Sequence, residues 1–357
     1  MIDPRWVAHL TDFRPAWWLP GGHAQTLSAA FWKGPQPPER GIARQIALAD
    51  GDILVALDDQ PTRWQAGDPA ILMMHGLGGT ARNPFLVRVT AKLRQHGVRV
   101  FRLNLRGCGA GAGLARLPYN AGGSGDLKAA VDTVINWCRE PTTRLAGSRS
   151  HTPLTLFGMS LSANVLLKYL GEEGSSIPAS VDRAIALNPP IDLARSVRTL
   201  ERPLNRGYDQ YFVKALIDQV RRQSIHRPDF ATLPDPLPRT LFDFDDRFTA
   251  RHGGYPHAAA YYVAASSLSR IPQIQVPTLI LTAADDPLVP VEMFHEQQSS
   301  WPECVHVAIT RGGGHLGYVG HGHADSDARW LDWRVCEFVT EWRPDTLPPN
   351  AQPESAF

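Results

Sequence analysis

Two spacings of apolar residues alternate along most of the chain. Short apolar runs bounded by turn residues read as strands, and stretches with apolar positions three and four apart read as helices. Residues 70–74 form a buried strand that ends at His75-Gly76. The spacing predicts a helix over 83–96, stopped by Gly97 as a C-cap, and a strand over 98–105. Residues 126–138 read as a helix with Ser124 or Asp126 near its N-cap, 154–157 as a strand, 162–170 as a helix ending at Gly171, and 184–187 as a strand. Strands over 278–282 and 306–309 and a helix from about 328 to 342 close the series. Ahead of it, residues 44–49, a turn at Asp50-Gly51-Asp52, and residues 53–57 read as an antiparallel hairpin.

Alternating strands and helices imply an α/β protein with a mostly parallel twisted sheet flanked by helices. The long polar and aromatic interval at 192–270 interrupts that rhythm and reads as an inserted helical cap. The expected layout is an irregular aromatic arm at 1–41, core segments at 42–191 and 271–343, the cap between them, and a flexible tail at 344–357. No fixed-period repeat is visible.

Composition narrows the classes further. The 357 residues are 43% hydrophobic and 20% charged, with 36 basic against 35 acidic side chains, which is ordinary for a globular protein. That balance leaves no electrostatic footprint for nucleic acid, and no basic run is interleaved with aromatics. No stretch approaches the roughly 20 apolar residues of a membrane span. The first residues lack the apolar core of a signal peptide. Cys108, Cys138, Cys304 and Cys336 are scattered without a C-x-x-C pair, which fits a reducing compartment, with the cytoplasm as the expected location.

The candidate chemistry centres on Gly158-Met159-Ser160-Leu161-Ser162, between a strand and a helix. A nucleophile elbow needs a serine on a tight strand-to-helix turn, with small residues two before and two after it. Gly158 meets this fully, whereas Ser162 stands where a second glycine is usual. Downstream, the strand over 278–282 runs into Asp285-Asp286-Pro287, and the next strand runs into Gly312-Gly313-Gly314-His315. The order serine, acid, histidine is that of an α/β-hydrolase triad. Ser160 is thus the expected nucleophile and His315 the general base and then acid. Asp286 is the expected orienting carboxylate because the chain turns directly after it, and Asp285 stays open as the alternative. The loop His75-Gly76-Leu77-Gly78-Gly79 supplies an oxyanion donor at Leu77, paired with the N–H of Leu161 after the nucleophile; His75 reads as structural. Tyr261 and Tyr262, within the cap, are weak candidates for lining an acyl pocket. The chemistry requires no cofactor and no metal, and the implied partner is a small-molecule ester, which includes lipid esters. Thioester, amide or phospholipid cleavage on the same triad, and ligand binding without catalysis, are the alternatives.

Three other patterns carry less. The glycine series at 106–113 follows a strand, but the next helix starts too late to offer its N-terminus to a pyrophosphate. His321, His323 and Asp325 lack a further ligand at metal-site spacing. Asp243-Phe244-Asp245-Asp246 lacks the glycine and terminal glutamate of a calcium loop, and reads as bracing for helices.

The chain also resembles the YheT-like hydrolases, a group related to ABHD lipases and to plant embryogenesis-associated proteins. The matching residues are Gly22-His23-Ala24-Gln25-Thr26, the loop at 75–79, Asn104-Leu105-Arg106-Gly107-Cys108-Gly109, the elbow, the run at 242–249, Tyr261-Tyr262, Asp285-Asp286-Pro287 and Gly314-His315-Leu316-Gly317. The resemblance implies carboxylic-ester hydrolysis, with the triad on Ser160, Asp286 and His315. Besides Ser162, the chain departs from the group at Tyr119-Asn120-Ala121-Gly122, where a Tyr-His-Ser-Gly-like run is common.

Overall fold

The computed structural model describes residues 10–34, 36–38, 41–139, 152–321 and 325–340. The expected hairpin is present: β1 (Ile42–Ala47) pairs antiparallel with β2 (Ile53–Asp59), from Ile42 opposite Asp58 to Ala47 opposite Ile53. The other strands are β3 (Ala70–Met74), β4 (Arg99–Asn104), β5 (Leu154–Met159), β6 (Val181–Leu187), β7 (Thr278–Ala283) and β8 (Val305–Thr310). They form one sheet in the order β1-β2-β4-β3-β5-β6-β7-β8. β2 meets β4 antiparallel, and every pairing from β4 to β8 is parallel.

Every residue of β3, β4, β5 and β7 is buried, and β3 accordingly reads as an unbroken apolar run, whereas β4 buries Arg99 and Arg102 in ion pairs with Asp58 and Asp59 of β2. Their neighbouring side chains feed two cores, as the two-residue period of a strand requires. Leu72, Met74, Phe101 and Leu156 join α3 (Ser124–Arg139) and α4 (Leu161–Glu173) on one face. Ile71, Met73, Val100 and Phe157 join α2 (Pro84–Gln95) and α8 (Trp330–Thr340) on the other. The expected stop of α2 is met: Asn83 caps its start by accepting the Phe85 N–H at 2.9 Å, and Gly97 follows its end with φ +77°.

Between β6 and β7 the described chain forms helices and turns: α5 (Leu193–Leu200), α6 (Arg206–His226), a segment whose turn at Asp245–Thr249 is π-helical, and α7 (Ala258–Ala265). The glycine series seats α6 against the core. A Cβ on Gly107 would lie 2.5 Å from Gln223 Nε2, and one on Gly113 would lie 2.8 Å from His226 Cβ.

Two expectations change. The arm is not wholly irregular, because α1 (Gly21–Phe31) lies within it. Its buried residues are Gly22, Gln25, Thr26 and Ser28, a polar and small face that a search for apolar stripes passes over. Gly171 does not end α4, which runs on to Glu173. A Cβ there would fall 2.1 Å from Arg270 O, so this glycine serves a close backbone approach.

Candidate active site

Parallel strands bring their C-terminal ends to one edge of a sheet, where α/β proteins collect their reactive groups. Ser160 follows β5 with φ 54° and ψ −125°, a conformation that costs a non-glycine residue on the order of 1–3 kcal/mol. The turn is tight because α4 starts at once. A Cβ on Gly158 would lie 2.5 Å from Ser162 O and 2.8 Å from Ala163 N, so only glycine fits there. Ser162 is accommodated by use of its hydroxyl, which accepts the Met159 N–H at 3.0 Å and lies 3.0 Å from Met74 O. The substitution therefore ties the elbow to the end of β3.

The three expected residues converge. His315 Nε2 lies 2.8 Å from Ser160 Oγ, and His315 Nδ1 lies 2.8 Å from Asp286 Oδ2. A carboxylate only accepts, so Nδ1 carries the proton and Nε2 is left to accept from the serine hydroxyl. Asp286 is 9% exposed and fully hydrogen-bonded. Its Oδ1 accepts Leu288 N–H at 2.8 Å and Val289 N–H at 3.1 Å, and its Oδ2 also accepts from Asn188 Nδ2 at 2.8 Å. Asp285 turns away and accepts the Gly314 N–H at 2.8 Å; burial pushes its carboxyl above the ordinary range. Of the two carboxylates, Asp286 is the one that meets the imidazole.

The loop after β3 lies against the serine: a Cβ on Gly76 would be 3.2 Å from Ser160 Cβ. The backbone N–H groups of Leu77 and Leu161 have no hydrogen-bond partner among the described residues. Both residues line a pocket of about 70 Å³ with Ser160 and His315. The next amide of the loop, Gly78 N–H, is held by the buried Tyr119 hydroxyl at 2.9 Å. His75 is wholly buried and donates Nδ1–H to Gly76 O at 2.8 Å while Nε2 accepts Leu105 N–H at 3.2 Å. Burial lowers its pKa to about 4, so it is a neutral support for the loop.

A larger cleft of about 520 Å³ opens beside His315. One wall is the stripe His23, Thr26, Leu27, Ala30 and Phe31 of α1; the other is Gly207, Tyr208, Tyr211 and Phe212 of α6, both at helical spacing. Phe85, Met159, Leu288 and Leu316 add apolar lining. His23 Nδ1 meets the Tyr208 hydroxyl at 3.0 Å and joins the two walls.

Tyr261 and Tyr262 are not brought to Ser160. They line an adjoining cavity of about 70 Å³ behind Leu77 and Leu161. The Tyr261 hydroxyl accepts Ala121 N–H at 2.8 Å, and the Tyr262 hydroxyl donates to Asp245 Oδ2 at 2.9 Å. Burial raises the pKa of Asp245 to about 6. Asp246 accepts Ala258 N–H at 2.8 Å and Asp243 pairs with Arg247, so this acidic run braces helices as expected. His323 lies outside the described residues; Asp325 pairs with Arg334 at 2.6 Å and His321 Nδ1 meets Pro15 O at 2.9 Å. Among the described residues no three potential metal ligands cluster.

Two residues at the site were missed in the sequence. Asn188 follows β6 with φ 43°, a conformation asparagine tolerates well, and an asparagine directly after a strand was the available signal. Tyr119 stood out only as part of a departure from the YheT-like pattern.

With this geometry in hand, residues 71–331 match the alpha/beta hydrolase family. The chain belongs to that family. It is 28% identical over 305 residues to the protein named "Putative esterase YheT" of Escherichia coli K12, covering 84% of each chain. It is 28% identical over 291 residues to a monoacylglycerol lipase of Saccharomyces cerevisiae, covering 79% of this chain and 61% of that one. It is 26% identical over 338 residues to human phospholipase ABHD3, covering 92% and 78%. Among solved structures, an esterase of Pyrococcus furiosus, Pf2001, aligns with a TM-score of 0.54 at 18% identity, over 86% of this hydrolase and 96% of that chain. Est1E from Butyrivibrio proteoclasticus aligns at 0.51 and 18%, over 84% and 97%. Identities this low speak to the fold alone. Among the described residues of the hydrolase, no helix is long and apolar enough to cross a membrane.

Proposed function

We propose that this protein hydrolyses carboxylic esters through Ser160, His315 and Asp286. The observation that carries the reading is the unbroken relay from Ser160 Oγ through the imidazole to Asp286, with both links at 2.8 Å. Ser160 Oγ attacks the ester carbonyl and passes its proton to His315 Nε2. Asp286 holds the Nδ1–H tautomer and stabilises the imidazolium that forms. The Leu77 and Leu161 N–H groups donate to the developing oxyanion; one such donor is typically worth about 10²–10³ in turnover. The leaving alcohol takes the proton from His315, and water activated by the same imidazole then releases the acid from Ser160. No cofactor takes part in this route. The helices between β6 and β7 serve as the cap.

The acyl chain occupies the cleft between α1 and α6. A helix rises about 1.5 Å per residue, so the wall from His23 to Phe31 is about 12 Å long. A carbon chain advances about 1.2 Å per bond, as extended backbone does, so the cleft takes on the order of ten carbons. The names of the esterase, lipase and phospholipase relatives agree with a lipid-like or short- to medium-chain acyl ester.

A fluorophosphonate probe tests the reading: Ser160 is labelled in the folded protein, and Ser160→Ala is not. Labelling that is absent, or unchanged in Ser160→Ala, refutes it. A panel of matched esters, thioesters and amides ranks the bond cleaved, with esters first; binding without turnover of any member would favour a non-catalytic role.

A further inference from the structure

The backbone around His315 is held in an unusual shape. Gly313, Gly314, Leu316 and Tyr318 all have positive φ, at 130°, 55°, 66° and 43°. Two of these residues are not glycine, and such a loop persists only where its surroundings fix it. Much of that fixing comes from α1 and the chain just before it. Thr26 Oγ1 accepts the His315 N–H at 2.9 Å and donates to Gly22 O at 2.7 Å. The Gln25 side chain satisfies both backbone groups of Val319: its Oε1 accepts the N–H at 2.8 Å and its Nε2 donates to the carbonyl at 3.0 Å. Gln25 is wholly buried, and its Nε2 also donates to Leu19 O at 3.1 Å.

Helix and loop touch backbone to backbone. A Cβ on Gly314 would lie 2.2 Å from Gly22 O, and one on Gly317 would lie 2.3 Å from Gln25 O. Upstream, Ala16 N–H donates to Val319 O at 2.9 Å, and Pro15 bridges Gly320. Helix α6 reaches the same helix one turn earlier, where the Tyr208 hydroxyl meets His23 Nδ1 at 3.0 Å.

We propose that Thr26 and Gln25 are positioning residues for His315, so that the N-terminal arm is a working part of the triad. This rests on the triad reading above. Thr26 sets where the histidine backbone sits, and Gln25 clamps the loop four residues further on. The imidazole is thereby kept within hydrogen-bond reach of both Ser160 and Asp286. A misplacement of about 1 Å can cost about 10²-fold in rate, so the effect is expected in turnover rather than in substrate affinity.

The test uses the full chain. Thr26→Val keeps the side-chain shape but leaves the His315 N–H without its acceptor, whereas Thr26→Ser keeps the acceptor. Gln25→Glu replaces the donor facing Val319 O with an acceptor. The expected result is a kcat about 10- to 100-fold lower for Thr26→Val and Gln25→Glu on an acetyl ester, with KM within about threefold and Thr26→Ser within about threefold of the parent. Amide hydrogen exchange over 313–320 is faster in the two impaired variants, which reports on the loop without any turnover. The proposal is overturned if kcat stays within twofold, if Thr26→Ser is as impaired as Thr26→Val, or if loop exchange is unchanged. A parent protein that turns over no ester while its loop exchange still responds to Thr26→Val overturns the triad reading, and the positioning role with it.

Discussion

Replacing Asp286 by asparagine separates the orienting carboxylate from its neighbour and has a consequence that follows from the hydrogen bonds. The two carboxylate oxygens accept from four groups: Leu288 N–H, Val289 N–H, Asn188 Nδ2 and His315 Nδ1. An asparagine has one acceptor oxygen and one NH2. If the oxygen faces the two backbone amides, the NH2 meets Asn188 Nδ2 and donates to His315 Nδ1. The imidazole then carries its proton on Nε2, facing Ser160, and cannot accept from the serine. If the amide is turned over, its NH2 opposes two backbone N–H groups instead. Either way a favourable contact is lost and the base is in the wrong tautomer or poorly held. In serine proteases the same change lowers kcat by about 10⁴. The expected loss here is about 10³–10⁴ in kcat, equivalent to about 4–5 kcal/mol of activation free energy. Asp285→Asn is the control, because an amide oxygen can still accept the Gly314 N–H, and its kcat is expected within about threefold of the parent. Steady-state hydrolysis of a soluble ester, with the melting temperature of each variant recorded alongside, decides it. If Asp286→Asn keeps more than a tenth of the activity, or Asp285→Asn is equally impaired, the assignment of the acid fails.

Two further outcomes are expected. Burial raises Asp245 from 3.8 to about 6, so the folded state holds this proton more tightly than the unfolded chain, and stability is lost as pH rises through that window. His75 acts in the opposite sense: its pKa falls from 6.5 to about 4, so stability is lost as pH falls through that range. Each contribution is about 3 kcal/mol, and the two largely oppose one another between about pH 4 and 6.5. Asp245→Asn removes one of them, so urea unfolding should show it gaining stability over the parent as pH rises from 4 to 7; a difference that does not vary with pH refutes this. In the cleft, Ala30→Trp fills space along the α1 wall. It should lower kcat/KM on a decanoyl ester at least about tenfold more than on an acetyl ester, and equal losses on both would remove the acyl chain from that cleft.

The parts of the site that follow strand ends were legible because local spacing suffices to find them. The elbow at Ser160, Asp286 two residues after Ala284 and His315 after three glycines each sit where a buried apolar run stops. What stayed hidden depends on partners distant in sequence. The cleft needs α1 against α6, and His23 is 185 residues from the Tyr208 it touches. α1 itself was missed because its inner face carries Gln25 and Thr26, whose partners are backbone groups of the His315 loop. Ser162 looked like a defect in the elbow until the ends of β3 and β5 could be seen sharing its hydroxyl. Gly171 looked like a helix stop, and only the approach of Arg270 reveals its purpose.

Hydrolysis by this route passes through a covalent step at one atom, Ser160 Oγ, and that step can be caught. The protein is mixed with p-nitrophenyl octanoate, quenched in acid within the first turnover, digested and mapped by mass spectrometry. The expected result is an octanoyl adduct on the peptide that carries Ser160, formed with a burst of nitrophenol and absent from Ser160→Ala. An adduct on another residue, or undiminished ester hydrolysis by Ser160→Ala, would contradict the central claim.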